Sequence, residues 1–198
     1  MRTVLTLLTL LIAPTFAHAA AEVGRQAPDF GASNSYGEDF YLSDHLGKYV
    51  VLEWTNHLCP FVKKHYETGN MQTLQKELTA KGVVWVSVIS SAPSKQGHVD
   101  GLKANELTLK RDAKPSHILL DDTGTIGKLY GARTTPQIFI VDPDGKVAYA
   151  GAIDSINSTK KSDVKKADNY IRMAFANLEA GTPVAVASTA PYGCSVKY

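Results

Sequence analysis

Cys59 and Cys194, the chain's 2 cysteines, carry most of the chemistry that its residues offer. Cys59 lies in Thr55-Asn56-His57-Leu58-Cys59-Pro60-Phe61, after Tyr49–Trp54, an apolar, largely β-branched and aromatic run that reads as a strand buried on both faces. Pro60 then opens a helix, where its missing N–H costs nothing. A thiol at a helix start meets unpaired N–H groups and the positive end of the helix dipole, which stabilise a thiolate and lower its pKa. His57, Lys63, Lys64 and His65 are close in sequence and add positive charge to that expectation. The competing reading is an inert buried thiol or one half of a structural disulfide. Val62 stands one helical turn along, where a local CxxC disulfide would need its second thiol, so any disulfide at Cys59 must reach Cys194 or another molecule.

A second feature is Thr134-Thr135-Pro136-Gln137-Ile138-Phe139-Ile140. Proline directly before a buried strand removes a ladder donor. An X–Pro bond adopts cis at little cost and then fixes a tight turn, although a trans proline at a strand start is the commoner case. Cys194 sits in the closing stretch Pro191-Tyr192-Gly193-Cys194-Ser195-Val196-Lys197-Tyr198, as a reactive thiol on a flexible tail or as a permanent tether.

Around these residues the pattern is that of one α/β domain. Residues 1–19 read as a secretory signal: Arg2, the apolar run Val4–Ile12, then Ala17-His18-Ala19. That run falls short of the about 20 apolar residues that span a bilayer, so residues 20–198 are expected as an exported, periplasmic domain without stable membrane insertion. A helix is expected from Pro60 to about Ala80, broken near Gly69-Asn70, then a buried strand at Val83–Ile89. A weak helix carrying Val99 and Leu102 and a short strand at His117–Leu120 follow. Next come a brief helix ending near Tyr130-Gly131 and a hairpin of Gln137–Val141 and Lys146–Gly151 around Asp142-Pro143-Asp144-Gly145. A last amphipathic helix is expected over Asp163–Leu178, and residues 184–198 form the cysteine-bearing tail. Trp54 and Trp85 read as core. Asp121-Asp122, Asp142 and Asp144 read as turn caps, and Lys160-Lys161 and Lys165-Lys166 as a solvated face. A net charge of +2, from 21 Lys+Arg against 19 Asp+Glu, gives no electrostatic footprint for nucleic acid. No bound cofactor or resident metal is implied.

Ala27-Pro28-Asp29-Phe30, the strand before Cys59-Pro60, Thr135-Pro136 and the Asp142–Gly145 hairpin together resemble the thioredoxin-fold redoxins. Within that group the chain is similar to the peroxiredoxin-like, AhpC/TSA-type branch. The resemblance implies a central mixed sheet flanked by helices. It also implies a thiol peroxidase in which Cys59 attacks a hydroperoxide to give a sulfenic acid. Cys194 then condenses with it to a disulfide, and a thioredoxin-like dithiol protein, fed by a membrane reductase, restores both thiols. In an oxidising compartment no glutathione pool does this. Thr55, Asn56, His57, Pro60, Thr135 and Pro136 are the supporting residues. Peroxiredoxins usually carry Pro seven residues before the reactive cysteine and Thr or Ser three before it; here Leu52 and Asn56 stand there, and Arg133 is not aligned with the usual activating arginine. Two alternatives stay open: a thiol–disulfide oxidoreductase acting on proteins, docked at Thr135-Pro136, and a non-catalytic or copper-handling redoxin, with His57, Cys59, His65 and Cys194 as the candidate copper ligands.

Overall fold

The computed structural model describes residues 20–198, so the expected signal segment lies outside the described residues. An antiparallel pair, β1 (Gly31–Ser33) and β2 (Asp39–Tyr41), leads through a 3-10 turn to β3 (Val50–Trp54). There follow α1 (Pro60–Glu67), α2 (Asn70–Ala80), β4 (Val84–Ile89), α3 (Gly101–Lys110), β5 (His117–Leu120) and α4 (Thr125–Tyr130). The two-residue β6 (Thr134–Thr135) precedes the hairpin of β7 (Gln137–Val141) and β8 (Val147–Gly151). α5 (Tyr170–Glu179) and the two-residue β9 (Cys194–Ser195) close the chain.

The central sheet runs β5-β4-β3-β7-β8, with β3, β4 and β5 mutually parallel and β7 antiparallel to β3 and to β8. Alternation along the strands separates two apolar layers. Val51, Trp85, Ile138, Ile140 and Tyr149 face α1, α2 and α5 through Val62, Met71, Leu74, Ile171 and Phe175. Leu52, Trp54, Val86, Val88, Phe139 and Val147 face the other way, onto Phe30, Phe40, Ile126 and Tyr130. Trp54 and Trp85 are wholly buried, as core residues should be. β3 thus lies at the centre of the sheet with both faces covered, and it delivers Cys59 to the start of α1.

Gly69, at φ +73°, separates α1 from α2 where the sequence leads one to expect a break. Asp121 caps α4 by accepting the N–H groups of Ile126 and Gly127 at 3.2 and 2.9 Å, and Asp142 accepts the Lys146 N–H across the hairpin turn at 2.8 Å. Three expectations are corrected. The last helix starts at Tyr170, not Asp163: Asp163 accepts the Ser158 hydroxyl at 2.8 Å and ends a 3-10 turn, whereas Asn169 supplies the true cap by accepting the Arg172 N–H at 3.1 Å. Asp100 caps α3, which leaves Val99 buried just before the helix and Leu102 83% exposed on its outer side. The tail is not a free arm but is bonded along its length. Thr189 N–H donates to Ala150 O at 3.1 Å, Ala92 N–H to Lys197 O at 2.8 Å, Val196 N–H to Arg133 O at 3.0 Å and the Tyr198 hydroxyl to Ala132 O at 2.6 Å. No helix among the described residues is long and apolar enough to cross a membrane.

Candidate redox site

Cys59 is the N-cap of α1, extended at φ −69°, ψ 124°, and its carbonyl accepts the Lys63 N–H at 2.9 Å. Pro60 occupies the first helical position, where an N–H would have no partner. β9 pairs antiparallel with β6, placing Cys194 opposite Thr135, the residue before the cis peptide to Pro136. The two thiols are free, and Cys194 Sγ lies 2.8 Å from Cys59 Sγ, which is also 3.1 Å from the Thr135 carbonyl oxygen. Gly193 makes this approach possible. It sits at φ +138°, and a Cβ there would run into the Thr135 carbonyl.

The two sulfurs differ in exposure and in acidity. Cys59 is 0% exposed, whereas Cys194 is only half-buried. Burial pushes the Cys59 thiol up, but the Cys194 thiol, the backbone N–H groups of Val62 and Cys194 and the otherwise unpartnered Thr135 hydroxyl outweigh it, so its pKa falls below the ordinary thiol value. Burial pushes Cys194 up to about 11, helped by its bond to Cys59 and by the charge there. Of the two thiols, Cys59 is therefore the more acidic.

The structure brings together Cys59, Pro60, Thr135, Pro136 and Cys194. Asn56 instead shapes the connector, where its side-chain oxygen accepts the Leu58 N–H at 2.9 Å and its amide donates to Gln96 O at 3.0 Å. Thr55 is buried, with its hydroxyl unpartnered and its N–H donated to Val88 O. The positive surrounding expected from the neighbouring residues is also corrected. Burial lowers the pKa of His57, with Arg111 adding to the effect, and burial lowers that of His65 to about 4, so both rings are neutral near pH 7. Lys64 is 1% exposed and is neutralised by Asp154, 3.2 Å away. Neither histidine bonds a sulfur, and among the described residues no group of three or more His, Cys, Asp or Glu is placed to hold a metal. Asp154 and Tyr192 do not stand out in the sequence as site residues. A lysine in α1 among the buried Val62, His65 and Tyr66 is the one sign that a carboxylate must lie opposite.

A sheet of this order, with a thiol capping the helix after its central strand and a cis-proline turn beside it, defines a thioredoxin-fold redoxin. The chain belongs to the AhpC/TSA family, whose model matches residues 23–150. Its overall fold is similar to that of an uncharacterized conserved protein from Geobacillus kaustophilus, with a TM-score of 0.76 and 27% identity over 89% of this chain and 92% of that one. The thioredoxin domain of a thiol-disulfide oxidoreductase from Bacteroides vulgatus shares the fold, with a TM-score of 0.52 and 20% identity over 74% of this chain and 98% of that one. In sequence the chain is 28% identical over 126 residues to the thiol-disulfide oxidoreductase ResA of Bacillus cereus, 64% of this chain and 67% of that protein. The family match ends at residue 150, so Tyr192 and Cys194 lie beyond it.

Proposed function

We propose that the chain is an extracytoplasmic thiol–disulfide oxidoreductase whose exchangeable electron pair is held by Cys59 and Cys194. The observation that carries this reading is the 2.8 Å approach of two free thiols of opposite acidity, the more acidic one buried and the other reaching solvent. The relation to ResA supports it. In the oxidised pair, a partner thiolate attacks the accessible sulfur, that of Cys194. The S–S bond breaks and its electrons pass to Cys59, the better leaving group because its thiolate is the more stable. The partner's second thiolate then attacks its own sulfur in the mixed disulfide and expels the Cys194 thiolate, which takes a proton. The partner leaves as a disulfide, and two electrons have entered the pair.

Hydroperoxide reduction, expected from the resemblance, requires a peroxide oxygen to meet a sulfur that has no exposed surface. The Asn56 amide, at the position of the usual Thr or Ser, is committed to Gln96 O. The geometry therefore favours exchange with sulfur partners over peroxide chemistry. The test compares reduction of insulin disulfides with oxidation by hydrogen peroxide. Wild type should reduce insulin in the presence of dithiothreitol, and Cys59→Ser and Cys194→Ser should each lose at least about 100-fold in rate. Peroxide oxidation of Cys59 that outpaces disulfide exchange would overturn the reading.

A further inference from the structure

Beside the sulfur pair lies a buried ion pair that the exchange chemistry does not use. Lys64 of α1 and Asp154, in the segment after β8, are 1% and 3% exposed, with Nζ 3.2 Å from Oδ2. Lys64 Nζ also donates to Ile156 O at 3.1 Å and to the Tyr192 hydroxyl oxygen at 3.2 Å, and that hydroxyl donates to Asp154 Oδ1. The Tyr192 ring packs against Phe61, centroids 5.8 Å apart, and Lys64 Nζ lies 5.2 Å from its centroid. Lys64 is five residues after Cys59 on one element, and Tyr192 is two residues before Cys194 on another. One ion pair thus pins both carriers of the sulfurs.

We infer that Tyr192 is a positioning residue for the redox pair: its hydroxyl, seated on Lys64 and Asp154, holds Cys194 against Cys59 and sets how strongly the disulfide is favoured. This rests on the oxidoreductase reading above. In the reduced protein nothing covalent holds the sulfurs together, so their effective concentration depends on how firmly the tail is seated. In the oxidised protein the disulfide itself holds the tail. Loosening the seat therefore favours the reduced form. The chemistry of the seat also lets it open. An apolar anchor would lose its burial when lifted, whereas Lys64 and Asp154 regain hydration, which offsets part of the bond energy lost. A partner protein can then displace the tail without breaking the core.

The test is equilibration of Tyr192→Phe in mixtures of oxidised and reduced dithiothreitol, with the Cys59–Cys194 disulfide read by mass spectrometry. The ring and its packing on Phe61 remain, and the tail contributes no strand to the central five-stranded sheet. The equilibrium constant for the disulfide should fall about tenfold, a potential about 30 mV less negative. Iodoacetamide labelling of Cys59 in the reduced protein at pH 9 should quicken by a similar factor. Tyr192→Ala should do at least as much, and it covers the case in which a water takes the place of the hydroxyl in the Phe variant. Tyr198→Phe, which removes the tail's bond to Ala132 O, should leave both readings within twofold. A purely structural tyrosine would lower the melting temperature and move neither reading. An unchanged constant and labelling rate in both Tyr192 variants would overturn the inference. A wild type that forms no Cys59–Cys194 disulfide at any ratio would overturn the oxidoreductase reading instead.

Discussion

Glu53 and Asp154 are both carboxylates with almost no exposed surface, at 0% and 3%, yet they are held in different ways. Glu53, on β3, accepts the Tyr66 hydroxyl at 2.8 Å, the Trp85 indole N–H at 2.9 Å, the Ser87 hydroxyl at 3.2 Å and the Gln75 amide at 3.3 Å. Those four donors belong to α1, α2 and β4, elements that cannot part without unfolding the sheet's packing. Asp154 accepts from Lys64 and from the Ile156 N–H at 3.1 Å, and its remaining donor, Tyr192, comes from the tail. A closed set of donors makes a fixed part of the core. A set completed by a detachable segment makes a clasp.

The sharpest way to break this comparison is Glu53→Ala. It leaves two hydroxyls, an indole N–H and an amide without their acceptor, so it should lower stability by about 3–5 kcal/mol in urea unfolding. The dithiothreitol constant of the folded fraction should stay at the wild-type value. A shift in that constant as large as that of Tyr192→Phe would erase the distinction between the two carboxylates.

A somewhat smaller effect is expected at His65, on the Asp154 side. Its Nδ1 accepts the Asn70 amide at 2.9 Å, so the proton sits on the unpartnered Nε2, 3.8 Å from Asp154 Oδ2. Burial holds the folded pKa near 4 against 6.5 for the free ring, so between those values the unfolded chain binds the extra proton. Stability from this group is complete above pH 6.5 and falls as the pH drops towards 4, by roughly 3 kcal/mol in all. His65→Gln should flatten that part of a urea-midpoint-against-pH curve, and an unchanged slope would place the titration elsewhere. The smallest effect belongs to Tyr198→Phe, which should cost about 1 kcal/mol and is checked by thermal unfolding of the reduced protein.

What the sequence disclosed was local. Cys59 at a helix start, Pro136 before a strand, the Gly69 break and the Asp142–Gly145 turn are each written in a few adjacent residues, and the structure agrees with all four. The clasp was hidden because it joins α1, the segment after β8 and the tail, and no periodic pattern links residues so far apart. Lys64 read as a source of positive potential because its partner could not be seen; the structure spends that charge on Asp154. The tail read as mobile because Gly193 precedes its cysteine, whereas that glycine serves close contact. The apolar spacing continues back through Ala167 and Val164 and so points to an earlier start for α5, but the stronger cap is Asn169.

Gly193 limits how this chain can vary. Ser195 is exposed and open to change, but any larger residue at 193 meets the Thr135 carbonyl and carries the neighbouring sulfur away from its mate. Exchanging tails between relatives would therefore keep the two sulfurs within reach of each other only where that one backbone position stays bare.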